Sequence, residues 1–150
     1  MRAVIQRVLE AKVSVDGNIK SQIESGLIIF LGIEHIDSKE DAKWLAKKIA
    51  QLRIFSDKQG VSNNSIIDID GEIIVVSQFT LHAKTKKGNR PSYIRSAKSS
   101  QAVNLYEEFK NLLSIAINKE VKSGEFGANM EIALINSGPM TIIIDTKNKE

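Results

Sequence analysis

Along the chain, apolar and polar positions first alternate and then change period. Val4, Val8, Val13 and Val15 stand among polar residues, which predicts a long half-buried strand bent near Leu9–Ala11. Asp16-Gly17-Asn18 reads as a hairpin turn and Ile19–Glu24 as the returning strand. Gly26–Glu34, "GLIIFLGIE", is the dense apolar run of a central strand. Ser38 then stands as an N-cap with Asp41 three residues on, a capping-box pattern. Ala42, Leu45, Ala46, Ile49 and Leu52 follow on one helical face.

Arg53–Ser56 suggests a short strand, and "DKQGVSNN" after it a loop. Ile66–Ile69 and Glu72–Thr80 are expected to pair as a hairpin through Asp70-Gly71. His82–Ser96 is a loop. Ser99 opens a second amphipathic helix with Ala102, Leu105, Tyr106, Phe109, Leu112, Leu113 and Ala116 inward. Asn129–Ile135 and Thr141–Asp145 are the last strands, and the polar tail from Thr146 is expected to fray. Together these elements predict one α+β domain over residues 1–150. Its largely antiparallel or mixed sheet is expected to curl into a barrel-like layer carrying two amphipathic helices.

Composition narrows the chemistry. The 150 residues, 42% hydrophobic and 26% charged, suit a single globular domain with a real core. The absence of cysteine removes disulfides, a thiol nucleophile and thiolate metal sites. The opening residues alternate, unlike a signal peptide, and the apolar runs are too short to span a bilayer. A cytoplasmic protein with no membrane partner is expected.

A net charge of +3 implies only a mild preference for polyanions. Its distribution is more telling. No acidic residue lies between Glu72 and Glu107, while Lys84, Lys86, Lys87, Arg90, Arg95 and Lys98 fall in that interval. Such a segment is either a solvated loop or a phosphate-contact surface whose binding depends on salt.

Conventional catalysts are scarce. His35 and His82 are the only histidines, and neither has nucleophile-elbow or zinc-site spacing. No P-loop, dinucleotide fingerprint or EF-hand occurs, so no metal or cofactor is expected. Two stretches remain. In "VVSQFTL" an apolar strand ends in hydroxyl, amide, aromatic and hydroxyl groups before the basic loop. Backbone N–H groups there suit an oxyanion, and the Ser77 and Thr80 hydroxyls suit substrate orientation; the plainer reading is a strand with a solvent-facing polar side. In "ALINSGPMTIIID", Asn136-Ser137-Gly138-Pro139 separates two strand-like runs. Those residues make a common turn between antiparallel strands. The alternative is a fixed backbone device, a cis peptide that aims carbonyl groups at something.

"SQFTL" at 77–81 together with "NSGPMT" at 136–141 resembles the D-aminoacyl-tRNA deacylase family. "MRAVIQRV", "GLIIFLGIE", "LRIFSD", "NRPSY" and "FGANM" fall in matching order, so the likeness covers about the full length. It implies a homodimer, with active sites at the subunit interface, that hydrolyses the ester joining a D-amino acid to the terminal adenosine of tRNA. Glycyl-tRNA is also implied as a substrate. By this resemblance Ser77, Gln78, Phe79 and Thr80 form the catalytic segment, and Ala128 and Met130 line the pocket. Gly138-Pro139, implied to be cis, reaches into the partner's site, where its carbonyls fill the space of an L-side chain. Arg7 resembles the arginine that braces this motif, and Arg90-Pro91-Ser92 matches a segment near the site. Lys84, Lys86, Lys87 and Arg90 are expected to contact tRNA.

Two residues depart from the family pattern. Met140 replaces the usual valine, and Asn129 stands where aspartate is common. The resemblance implies catalysis assisted by the adenosine 2′-hydroxyl; the alternative makes Thr80 the nucleophile, which needs a base. Two other functions stay open: a related deacylase of mischarged L-alanyl-tRNA, against which Ser77 and Phe79 speak, and a non-catalytic RNA-binding protein.

Overall fold

The computed structural model describes residues 1–150. The first strand, β1 (Arg2–Val15), pairs antiparallel with β2 (Asn18–Ile23) through its second half and with β3 (Gly26–Gly32) through its first. A helix, α1 (Lys39–Ala50), crosses over to a small ribbon of β4 (Phe55–Ser56) and β5 (Ser62–Asn64). The chain re-enters the sheet as β6 (Glu72–Ser77), parallel to β3. A second helix, α2 (Ser99–Ile117), leads to β7 (Lys122–Ser123) and then β8 (Glu131–Asp145), which runs antiparallel to β1 over nearly its whole length. The mixed sheet is thus a nearly closed, barrel-like layer with two helices. Neither helix is long and apolar enough to cross a membrane.

The continuous apolar runs have a simple cause. In β3, Leu27, Ile29 and Leu31 join the larger core with the helices, while Ile28 joins the smaller core on the opposite face. In β6, Ile73 and Val75 face one way and Ile74 and Val76 the other. A strand buried on both faces has no polar side to alternate with. Tyr106 locks α2 to this layer, its hydroxyl donating to the Val75 carbonyl at 2.8 Å.

Several expected elements differ. Ile66–Ile69 is a turn, not a strand: Asp68 accepts from the Ser65 amide and hydroxyl at 2.7 Å, and Gly71 donates to the Ile66 carbonyl at 3.0 Å. Side-chain bonding to the backbone won over the apolar run. No hairpin therefore joins it to β6, which ends at Ser77 instead of Thr80. The expected loop at 57–64 contains β5, a strand too polar to register as one. Ala116 is exposed, and Ile117 takes the inward place at the end of α2. The tail does not fray at Thr146, which is 5% exposed, bonded to the Met1 amino group and to its carbonyl.

The largest difference lies at Asn136–Pro139. β8 is one strand, not two joined by a turn. Gln6 pairs with Thr141 and Val8 with Asn136, so Arg7 alone faces Ser137–Met140, which bulge from the ladder. Proline, with no N–H to offer, sits where no ladder bond is required. The Gly138-Pro139 peptide is cis.

Candidate active site

Beyond Ser77 the chain leaves the sheet in a single 3-10 turn, Phe79–His82. The Gln78 amide still donates to the Leu31 carbonyl of β3 at 2.8 Å. Leu81 makes the first bond of the turn, to the Gln78 carbonyl at 3.2 Å. The amides of Phe79 and Thr80 precede it and have no carbonyl within the turn to donate to. This turn rests directly on Gly32, where a Cβ would meet the Gln78 carbonyl oxygen, Leu81 and the His82 ring at 3.0 Å. Arg2 anchors its far end, donating to the Leu81 carbonyl at 2.8 Å while gripping Asp145 at 2.8 and 3.0 Å.

Ser77, Gln78 and Phe79 form one wall of a cavity of about 550 Å³. Phe126, Ala128, Asn129 and Met130 form another, Ala97 and Ala102 close a third side, and Leu31, Ile33 and Val76 make an apolar floor. Of the residues singled out in the sequence, Ser77, Gln78, Phe79, Ala128 and Met130 therefore meet. Thr80 does not line the cavity; its hydroxyl accepts from Gln78 Nε2 at 2.5 Å.

Gly138 and Pro139 also lie outside the cavity lining and are exposed. Arg7 stands behind them. Its Nε donates to the Ser137 carbonyl at 3.2 Å and its Nη1 to the Ile54 carbonyl. The guanidinium thus ties the residue before Gly138 to Ile54. Met140 packs against the larger core.

Neither histidine reaches the cavity. His82 is 2% exposed, and neither ring nitrogen has a hydrogen-bond partner. Burial pushes its imidazole below the ordinary value. His35 lies at the surface, with Nδ1 3.0 Å from the Arg95 carbonyl. No group of three acidic or histidine side chains converges to hold a metal ion.

The acid-free segment divides in two. Lys84, Lys86, Lys87 and Arg90 are exposed on a loop whose neck is closed by reciprocal backbone bonds between Lys84 and Ser92, at 2.8 and 3.0 Å. Arg95 has a different task. It grips Glu34, itself 1% exposed, with two bonds of 2.9 Å, and so neutralises a buried carboxylate. Phe126 was missed as a cavity residue, although it opens the "FGANM" stretch. A lone aromatic in a polar connection was its only signal; its ring packs edge-on against Tyr106 at 5.5 Å.

Comparison with known proteins bears on this site. The family profile described as D-Tyr-tRNA(Tyr) deacylase matches residues 4–145. A Bacteroides fragilis protein named D-aminoacyl-tRNA deacylase is 61% identical over 150 residues, the whole of both chains. Among solved structures, the c-Myc DNA unwinding element binding protein superposes with a TM-score of 0.91 at 37% identity, over 97% of this chain and 98% of the other. A probable eukaryotic D-amino acid tRNA deacylase superposes with a TM-score of 0.80 over 95% and 97% of the two chains. At 15% identity, the latter likeness is one of fold.

Proposed function

The chain belongs to the D-Tyr-tRNA(Tyr) deacylase family, and from that premise we propose how it releases a D-amino acid from tRNA while sparing the L-form. It is a hydrolase, a deacylase of D-aminoacyl-tRNA. In our reading the aminoacyl group of the terminal adenosine enters the cavity between Ser77–Phe79 and Ala128–Met130. One observation carries this: two segments distant in sequence converge on a cavity with a polar wall and an apolar floor, and no imidazole stands in it.

An aminoacyl ester is already activated, so positioning and charge stabilisation supply most of what hydrolysis needs. Water adds to the ester carbon, and the amides of Phe79 and Thr80 receive the charge that develops on the carbonyl oxygen. The Ser77 hydroxyl, on the cavity wall, orients the substrate. The tetrahedral intermediate then collapses, the carbon–oxygen bond to the ribose breaks, and the ribose oxygen takes a proton. The products are free tRNA and the D-amino acid. The 2′-hydroxyl of the terminal adenosine assists the water in place of a side-chain base. The surroundings of Thr80 support this route, because its hydroxyl is bonded to the Gln78 amide, which cannot accept its proton.

Selection by hand requires a second copy of the chain. Gly138-Pro139 is exposed, outside the cavity and braced by Arg7. β8 is bonded to β1 along one edge, leaving its other edge available to a partner. In the homodimer we propose, Gly138-Pro139 of one subunit closes the cavity of the other, and its carbonyls occupy the space an L-side chain needs. Blocking one side of the α-carbon rejects L-residues without reading any particular side chain, and it admits glycine. Such a substrate places the enzyme in the cytoplasm, where aminoacyl-tRNA is made and used.

Released D-tyrosine, followed over many turnovers of D-tyrosyl-tRNA with the enzyme at catalytic concentration, tests the reaction. Repeated turnover is expected. Stoichiometric tRNA binding without release would instead identify a non-catalytic RNA-binding protein.

A further inference from the structure

The mouth of the cavity carries an aromatic pair whose rings the proposed chemistry leaves unused. Phe79 is 56% exposed and Tyr93 38%. Their ring centroids lie 5.0 Å apart with the planes at 74°. Edge-on contact holds two rings together and leaves a ring face open.

The pair is held from behind. The Ser96 hydroxyl donates to the Phe79 carbonyl at 3.0 Å, and the Ser96 amide to the Tyr93 carbonyl at 2.9 Å. Immediately before Tyr93, Ser92 closes the neck of the basic loop on Lys84. Lys86, Lys87 and Arg90 project beyond that neck, and no carboxylate pairs with them. An open aromatic surface thus lies between the cavity and a group of unpaired cations.

That juxtaposition matches single-stranded nucleic acid, whose bases stack on aromatic rings while its phosphates follow positive charge. We propose that Phe79 and Tyr93 form a stacking platform for the unpaired nucleotide preceding the terminal adenosine of tRNA. The phosphates of that 3′ end run on to Lys86, Lys87 and Arg90. The assignment rests on the deacylase reading, which puts the terminal ester in the cavity and so sends the rest of the 3′ strand out past these rings.

The test measures binding of uncharged tRNA by the wild-type protein, Tyr93→Ala and Tyr93→Phe. Three forms of the tRNA are compared: intact, lacking only its terminal adenosine, and trimmed of all unpaired 3′ nucleotides. Tyr93→Ala should weaken the first two about tenfold, leave the trimmed form unaffected and keep the salt dependence of binding. Tyr93→Phe should bind as the wild type does. On D-tyrosyl-tRNA, KM should rise for Tyr93→Ala while kcat holds.

Unchanged binding of intact tRNA by Tyr93→Ala overturns the proposal. A loss that disappears when only the terminal adenosine is removed overturns it too, by moving the stack onto that adenosine. An equal loss on the trimmed form makes Tyr93 a structural or duplex-contact residue and likewise overturns it. Wild-type hydrolysis of D-tyrosyl-tRNA, measured in the same series, fails separately if the deacylase reading is wrong.

Discussion

Thr80 belongs to the segment that forms the cavity wall, yet its side chain turns to Gln78 instead of the cavity. Thr80→Ala should therefore keep substantial hydrolysis. A substrate whose terminal adenosine lacks the 2′-hydroxyl should bind normally and lose most of its turnover, as expected when a group acts only in the transition state. Single-turnover rates with both proteins and both substrates check this. An inactive, folded Thr80→Ala together with normal reaction of the deoxy substrate would make Thr80 the nucleophile. Individual residues were legible in the sequence to different depths. Ser77, Gln78, Phe79, Ala128 and Met130 line one cavity, and in the sequence each stands in a motif. Arg7 was expected to brace the Gly-Pro motif; in the structure its Nε donates to the Ser137 carbonyl. Arg95 gave no sign of its ion pair with Glu34, since a contact between residues so far apart in the chain has no local pattern.

Elements were readable where one face meets water. The helical period of α1 and the cap at Ser38 are both present, with Asp41 accepting from the Ser38 amide at 2.9 Å and its hydroxyl at 3.1 Å. The same spacing recurs at Ser65 and Asp68, where it closes a turn. Ile66–Ile69 was read as a strand from its apolar run, and the Ser65–Asp68 bonds close a turn there instead. β3 and β6, buried on both faces, showed no alternation from which to read their direction, so their parallel pairing stayed hidden. Asp41 also makes α1 sensitive to acid. Burial alone would raise its carboxyl, but bonds from Lys147, the Ser38 amide, Thr146 and the Ser38 hydroxyl hold it well below the ordinary range. A depressed folded value means stability present above the unfolded pKa and lost as pH falls through the folded one. Asp41→Asn should therefore be less stable at neutral pH and lose less than the wild type on acidification below about pH 4. Urea midpoints across that range measure it; parallel curves would remove Asp41 from the account.

At the scale of the whole molecule, charge and the proposed homodimer take part, in our reading, in how tRNA meets the cavity. Lys86→Glu combined with Lys87→Glu should weaken tRNA binding and flatten its log–log salt dependence by about one unit or somewhat more. Unchanged affinity and slope would make the loop an ordinary solvated segment. The charge distribution was visible in the sequence, and the resemblance implied that Gly138-Pro139 serves a partner's site; in the structure the two residues lie outside the lining of their own cavity. In the homodimer we propose, closure of the cavity is a property of two chains. Sedimentation at micromolar concentration should show a particle of twice the chain mass, and a monomer that is active and selective would refute the shared site. The most direct measurement compares kcat/KM for D-tyrosyl-, glycyl- and L-tyrosyl-tRNA with one preparation of enzyme. Hydrolysis of the first two, with the L-ester left intact at the same enzyme concentration, is the predicted result. Comparable turnover of the D- and L-esters would contradict rejection by the Gly138-Pro139 backbone.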